Sequence, residues 1–280
     1  MIKRRLFIKS LLSVGAITGM YAWQIEPFWL EFVRVKMPIK NLPDDLVGKT
    51  LMQISDIHVG DRVNPKFIRD SFQKAQKFEP DFVVYTGDFV SYKTVKQLKQ
   101  LTDAFQQVVI GKLGTIGILG NHDYGKKWKE RIVADNIVKI LMDKGLTMLR
   151  NEQIEVHGLN VIGIDDYWGT NFHPMQVMTQ LDEKKANLVL CHNPDVADEP
   201  IWGNYKGWIL SGHTHGGQCK PPFLDAPMLP VKNKWFRAGK MELSGGRTLY
   251  INRALGHLWQ VRFNVRPEIT IFELQKTAEL

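Results

Sequence analysis

Cysteine is scarce in this chain. Two residues in 280, Cys191 and Cys219, cannot build a disulfide framework, and each adjoins a histidine cluster, where a small packing residue is expected. Long apolar runs are missing as well. The longest, Leu11 to Trp23, falls short of the roughly 17 to 25 residues of a membrane span, and lengthening it through Leu6-Phe7-Ile8 buries Lys9. No internal repeat or low-complexity segment is present, and 44% hydrophobic content excludes disorder for most of the chain. Acidic residues are in deficit, 29 against 37 basic ones, and the resulting charge of +8 favours an anionic partner. A groove-reading motif and an interleaved basic and aromatic strand are both lacking, so nucleic acid is not an expected partner. Nothing points to an obligatory protein partner either. Phospholipid headgroups and small phosphates remain.

The amino terminus reads separately. Lys3, Arg4, Arg5 and Lys9 precede the apolar run, the pattern of a signal peptide or short anchor. Lys3-Arg4-Arg5-Leu6-Phe7-Ile8-Lys9 resembles a twin-arginine export address, which suits a protein exported already folded. A clean small-x-small cleavage site is absent, so the segment can stay attached. Trp23, Phe28, Trp29, Leu30 and Phe32 follow, either at a membrane interface or packed on the body. Positive charge ahead of the apolar run places the body on the periplasmic or other extracytoplasmic face; Arg34, Lys36 and Lys40 weaken that bias and leave a cytoplasmic-facing anchored form as the alternative. Residues 1–47 are therefore expected to be leader and aromatic linker, and residues 48–280 a single globular domain.

Within that domain Thr50 to Ser55, Phe82 to Thr86 and Ile116 to Leu119 are short apolar runs suited to buried strands. Helical spacing recurs over Pro65 to Phe78, Val95 to Val108 and Ile132 to Met142, the last closed by Lys144-Gly145. Strands dominate the second half, at Val161 to Ile164, Leu188 to Cys191, Trp208 to Leu210, Thr248 to Asn252 and Ile269 to Leu274, with helical character over Met175 to Lys184. Alternation of strands and helices followed by a strand-rich half predicts an α/β fold of two sheets covered by helices.

Most of the predicted strands end in a polar cluster. These are Asp56-Ile57-His58, Gly87-Asp88, Gly120-Asn121-His122-Asp123, Cys191-His192-Asn193 and Gly212-His213-Thr214-His215, which hold five of the eight histidines. Asp56 and His58, one residue apart, can converge on one cation. Asp88 can bridge two cations at the roughly 3.5 to 4 Å separation of two-metal hydrolases, although Gly-Asp alone is more often a turn. Asn121 can add a neutral oxygen to the second ion, His192 and His213 can complete that ion's shell, and His215 can join the first. Imidazole, amide and carboxylate donors suit manganese, with zinc or iron as alternatives, better than a magnesium-only cage. His122 adjoins these donors without having to bind metal, so it can give a proton to a leaving group. Asp123 either orients His122 or satisfies a backbone donor.

The order of these motifs resembles the calcineurin-like metallophosphoesterase family over approximately residues 48 to 275. The resemblance implies a four-layer double beta sandwich flanked by helices, of the metallo-dependent phosphatase type. It implies one metal at Asp56, His58, Asp88 and His215, a second at Asp88, Asn121, His192 and His213, and His122 as the catalytic histidine. A bridging hydroxide is then the expected nucleophile. Asp56-Ile57-His58-Val59-Gly60, Asn151-Glu152, His192-Asn193-Pro194-Asp195 and Gly212 to Gln218 are similar to an envelope-associated branch of that family. The branch includes cleavers of UDP-2,3-diacylglucosamine, a reaction of lipid A biosynthesis. Asn252-Arg253-Ala254 departs from a more usual Ser-Arg-Gly, and Gly87-Asp88-Phe89-Val90 lacks the arginine that marks the serine/threonine phosphatase branch.

The expected activity is thus phosphodiester or pyrophosphate hydrolysis on a phosphate-containing small molecule or a nucleotide-linked lipid, at a membrane surface. Arg62, Asn151 and Arg253 are candidate substrate contacts, and each arginine could equally form a structural ion pair. Phe223-Leu224, Met228-Leu229 and Trp235-Phe236, between Lys232, Lys234 and Arg237, either line an acyl-chain groove or pack as core. A broad-specificity exported phosphatase and a noncatalytic phosphate-binding membrane protein are the alternatives.

Overall fold

The computed structural model describes residues 2–277, so the last three positions of the expected domain, and the side chain of Lys3 in the basic leader, lie outside the described residues. In chain order the regular elements are α1 (Ile2–Gln24), β1 (Glu31–Ile39), β2 (Thr50–Ile54), α2 (Pro65–Gln76), β3 (Phe82–Thr86), α3 (Val95–Ala104), β4 (Gly114–Ile118), α4 (Arg131–Met142) and β5 (Thr147–Met148). There follow β6 (Glu152–Val156), β7 (Leu159–Gly163), α5 (Met175–Met178), β8 (Ala186–Leu190), β9 (Trp208–Ser211), β10 (Gly239–Leu243), β11 (Arg247–Ile251) and β12 (Glu268–Lys276).

These strands form two six-stranded sheets, in the orders β1-β12-β2-β3-β4-β5 and β10-β11-β9-β8-β7-β6. Each sheet is mixed: β2, β3 and β4 run parallel, as do β7, β8 and β9, while β12, β6 and β10 supply the antiparallel pairings. The central strands are buried along nearly their whole length and mostly apolar because they are covered on both faces. In β3, Phe82 and Val84 face the other sheet, where they pack with Leu188 and Leu210. Val83 and Tyr85 face α2, α3 and α4, where they pack with Phe72, Leu101 and Ile137. The second sheet shows the same alternation, with Leu188 and Leu190 inward and Val189 outward against α5 and the 194–198 turn. Gln53 crosses the inter-sheet core, its amide donating to Thr86 Oγ1 at 3.0 Å and to the Ser211 carbonyl at 2.9 Å.

Three expectations change here. The boundary at residue 47 falls inside the fold, because β1 pairs in parallel with β12 along its whole length, from Glu31–Glu268 to Ile39–Lys276. The aromatic stretch is also divided: Phe28 packs edge-on against Phe67 and Phe32 against Phe78, so these rings belong to the body, while Trp23 and Trp29 stay exposed. The helix foreseen over Met175 to Lys184 shrinks to one turn, since the Asp182 side chain accepts Lys184 N–H and the Asp182 carbonyl accepts the Asn187 amide, holding a bend that feeds β8.

The continuous helix α1 exceeds the apolar run that marks it. Its 23 residues span about 35 Å at 1.5 Å per residue, enough for a hydrocarbon core of about 30 Å. By length and composition it is long and apolar enough to be a signal or membrane-anchoring segment, and nearly all of it stands clear of the body.

The segment between β11 and β12 fastens the end of α1 to the domain. Arg262, fully buried, donates to the carbonyls of Arg253, Ala254, Gly256 and Val265, and its own backbone N–H donates to the Ala22 carbonyl at 2.9 Å. His257, buried beside Phe28, donates from Nε2 to the Arg62 carbonyl at 3.1 Å. Burial pushes its pKa down from 6.5 to about 4. An unfolded chain therefore takes up this proton first, and the contribution of neutral His257 is present above pH 6.5 and lost as pH falls towards 4. That loss should reach on the order of 3 kcal/mol. Urea titrations of wild type and His257→Gln across this range should show a steeper acid decline in wild type; parallel curves would remove His257 as the cause.

Candidate metal centre

The parallel strands of both sheets release their polar clusters at their carboxyl ends, and the two sets meet. Asp56 and His58 follow β2, Asp88 follows β3, Asn121 and His122 follow β4, His192 follows β8, and His213 and His215 follow β9. Backbone bonds lock neighbouring turns together: Asp56 N–H to the Gly87 carbonyl at 2.9 Å, His58 N–H to the Asp88 carbonyl at 3.0 Å and Gly212 N–H to the His192 carbonyl at 3.0 Å. The sheets are joined across the site by His213 N–H, 3.0 Å from both carboxylate oxygens of Asp56.

Asp56, His58, Asp88, His213 and His215 all adopt positive φ, between 51° and 69°. Left-handed backbone is uncommon for residues with a Cβ and collects where function demands it. Each of these five donor residues is buried at the centre where the strands end.

Two buried triads result, Asp56–His58–His215 and Asp88–His192–His213, with the donor atoms of each within 4.8 Å of one another. Asp88 Oδ2 lies between them, 3.5 Å from His58 Nε2 and 3.2 Å from His192 Nε2. In the first triad His58 Nε2 and His215 Nε2 are 2.9 Å apart, and Asp56 Oδ1 is 3.2 Å from His215 Nε2. In the second, His192 donates from Nδ1 to the Thr86 carbonyl at 2.8 Å and His213 from Nε2 to the Pro230 carbonyl at 2.9 Å. A carbonyl only accepts, so these bonds fix both tautomers and leave His192 Nε2 and His213 Nδ1 as lone-pair donors 3.2 Å apart.

This donor set fits two divalent cations. Facing lone pairs and buried carboxylates repel one another unless a cation lies between them. Asn121 supplies a further test: it is buried, and neither atom of its amide finds a hydrogen-bond partner among the described residues, as expected of a ligand residue. Burial opposes ionisation of Asp56 and Asp88, yet the imidazoles around them hold both carboxyls below their ordinary range. Burial, with His192 next to it, pushes His213 down to about 3, and burial also lowers His58, so both rings are neutral and ligand-competent. His192 differs. Asp88 and Asp56 draw its pKa up against burial, so its proton competes with a cation for Nε2.

Gly120 is required by this crowding. A Cβ there would lie 2.5 Å from Asp88 N and 2.8 Å from His192 Cε1. Gly120→Ala should therefore displace Asp88 and cost about 1–3 kcal/mol in stability. Thermal unfolding with and without added metal measures it, and an unchanged midpoint in both would show that the turn has room.

The remaining predicted residues divide. His122 is half-buried at the rim, its ring 5.0 Å from that of His58, and its backbone N–H donates to Asp88 Oδ1 at 2.8 Å. Asp123 takes the second of its two expected roles, accepting from Gly120 N–H at 2.9 Å and Val90 N–H at 3.1 Å; it braces the turn and does not hold His122. Arg253 is committed to Glu268 and Glu31, a structural ion pair between β12 and β1 and not a free clamp. Arg62 donates to the Leu258 carbonyl at 2.8 Å and stacks on Trp259, 4.4 Å from the ring centre. Asn151 anchors a loop through the Asn171 carbonyl and Asp165 N–H.

Sequence reasoning missed three residues. Asp166 follows β7 as the other clusters follow their strands, a signal open to notice; it is buried, its Oδ1 lacks a partner among the described residues, and burial raises its pKa to about 7. Trp128 and Trp168 stack 4.8 Å apart, and Trp168 meets His213 edge-on at 4.5 Å. They form an aromatic shelf between His122 and the second triad. On the other side of His213 and His215 opens a cavity of about 610 Å³, walled by Pro227, Met228, Leu229 and Trp259 with Lys234 and Arg237.

Comparison with known proteins agrees with this geometry. A family model described as calcineurin-like phosphoesterase matches residues 49–217. The chain is 30% identical to the uncharacterized metallophosphoesterase YkuE of Bacillus subtilis, over 98% of each chain. It is 28% identical to the phosphodiesterase YaeI of Escherichia coli, covering 98% of this chain and 100% of that one. It is 26% identical to the UDP-2,3-diacylglucosamine pyrophosphatase LpxG of Chlamydia muridarum, over 94% and 95% respectively.

Proposed function

The chain belongs to the calcineurin-like phosphoesterase family, and from that premise we propose that it hydrolyses a phosphodiester or pyrophosphate bond in an amphipathic, lipid-linked substrate of the cell envelope. Metal-dependent phosphohydrolysis rests on one observation: Asp88 Oδ2 within 3.5 Å of a histidine from each buried triad. Bound there, two divalent ions supply charge neutralisation for phosphate oxygens and a lowered pKa for water. The histidine-rich donor set supports manganese first, then zinc or iron.

The chain's own groups do the rest. Asp56, His58 and His215 would hold one ion, His192, His213 and Asn121 would hold the other, and Asp88 is placed to serve both. His122, at the rim, gives a proton from its imidazole to the departing oxygen. Asp123 keeps the Gly120 turn closed, which fixes the backbone that carries Asn121 and His122. Trp128 and Trp168 shield one side of the centre from water.

The finer substrate reading draws on three features: the apolar cavity with its cationic edge, the similarity to YaeI and LpxG, and the leader. The twin-arginine-like cluster Arg4-Arg5 and the exposed helix α1 support an exported protein held at the membrane with its body on the extracytoplasmic face.

Metal analysis of the purified full chain tests the centre, with two ions per chain expected. Bis(4-nitrophenyl) phosphate, 4-nitrophenyl phosphate and UDP-2,3-diacylglucosamine, each with and without chelator, test the chemistry. The lipid-linked pyrophosphate should be the best substrate and the monoester the worst. Preference for the monoester would replace this reading with a broad phosphatase, and a metal-free chain inert towards all three would leave only phosphate binding.

A further inference from the structure

We propose that the loop from Cys219 to Arg237, together with Trp259 and Val261, is a second membrane-contacting surface that seats the mouth of the metal-centre cavity on an anionic phospholipid leaflet. This rests on the anchoring of α1 proposed above for its orientation only.

The loop is built against the usual rules for a solvated segment. Phe223 is fully exposed, and Leu224, Met228 and Trp235 are 63%, 74% and 77% exposed, with Trp259 at 65% beside them. Scattered exposed apolar residues need no explanation; four large ones on one loop with Trp259 beside it do, and two of the five, Met228 and Trp259, line the cavity itself. Phe236 alone among the loop aromatics turns into the core, with Ile162 and Val189, and so pins the loop to the domain from beneath.

Its backbone suits an interface. Pro221, Pro222, Pro227 and Pro230 remove four N–H donors from a segment that would otherwise have to solvate them, and they stiffen it. The loop carries four cations, Lys220, Lys232, Lys234 and Arg237, against one acidic residue, Asp225, which Arg237 engages, while Lys232 donates to Tyr167 Oη and Lys234 to the Leu229 carbonyl. Apolar tips on a loop with a net positive charge match the acyl boundary and headgroups of an anionic leaflet.

The direction of the membrane is given by α1. Its last turn touches the same rim: Tyr21 meets Phe263 edge-on, Arg262 N–H donates to the Ala22 carbonyl, and Gln260 donates to the Trp23 carbonyl at 3.1 Å. Gln218, just after the ligand turn of His213 and His215, donates to the Trp259 and Val261 carbonyls, both at 3.0 Å. The helix exit, the exposed loop and the cavity beside the ligands are therefore parts of one edge of the molecule. A bilayer entered by α1 meets Trp259 and the loop next, and an amphipathic phosphoester can reach the ligands without leaving the leaflet.

The test uses the full chain in a Cys219→Ser background, reconstituted into vesicles of phosphatidylcholine with phosphatidylglycerol and labelled with an environment-sensitive fluorophore. Label positions are Phe223→Cys in the loop, Leu12→Cys in α1 and Lys184→Cys on the exposed turn before β8. Lipids with nitroxide-bearing acyl chains should quench the label at 223 several-fold more than at 184, and quenching should weaken in phosphatidylcholine alone. Strong quenching at 12 with none at 223 overturns the second surface while the anchor stands. Quenching at 223 without quenching at 12 keeps the surface and removes the anchor, and none at either removes both. A label at 223 already shielded in detergent, in a particle of twice the expected mass, assigns the patch to a second copy of the chain and overturns the proposal.

Discussion

Asp88→Ala should bind its metals a hundred- to several-thousand-fold more weakly and lose nearly all turnover while remaining folded. One oxygen of Asp88 lies within 3.5 Å of histidines from both triads, and the other accepts His122 N–H at 2.8 Å. Removing the side chain thus strikes both ions and the β4 turn together. Stripping one partner from a buried charged cluster costs about 3–5 kcal/mol, which sets the range of weakened binding. Asp88→Asn sharpens the comparison, since it keeps the volume and an acceptor for His122 N–H but removes the charge. Its occupancy should fall nearly as far as that of the alanine variant. Metal content after dialysis, with turnover on bis(4-nitrophenyl) phosphate, reads both. Full occupancy and activity in either variant would dismantle the shared-carboxylate arrangement.

His122→Ala should behave in the opposite way on metal and similarly on rate. The contact that this residue makes with Asp88 is through its backbone, which alanine retains, so two ions should stay bound. The imidazole itself is lost, and removal of a positioned general acid costs about 10²- to 10⁴-fold in turnover. The loss should depend on the leaving group. A nitrophenolate departs without a proton and should suffer least; an alkoxide or the leaving phosphate of a nucleotide-linked lipid should suffer most. A purely structural histidine would slow every substrate equally, so the ratio of the two losses is the decisive number. Wild-type rates on both classes would end its assignment as proton donor.

Much of the fold was legible because the central strands are covered on two faces. Their apolar runs stop where the chain leaves the core, and the polar residues at those stops are the ones that the parallel strands deliver to one end. Strand β1 carries a local signature, since Val33, Val35, Met37 and Ile39 alternate with Arg34 and Lys36 in the period of a strand. Its aromatic and basic content fits a membrane linker equally well, and its partner, β12, lies at the far end of the chain. Asp123 and Arg253 were ambiguous for another reason. A buried carboxylate beside a turn, or an arginine after a strand, has no local signature that separates bracing from chemistry; only the Gly120 and Val90 amides, and Glu268 and Glu31, decide it.

By itself the sequence determined which residue types close each strand, and with them a two-metal donor set, because burial period and glycine turns are local properties of the chain. Tertiary structure decided what those donors share. Left-handed turns at His213 and His215 send neighbours two residues apart into different triads, and Asp88 becomes common to both only when the two sheets face each other. The exposed loop beside α1 likewise acquires a direction only through contacts between the start of the chain and residues 260–263. Local periodicity cannot encode such pairings, since they depend on how separate elements pack and not on any one of them.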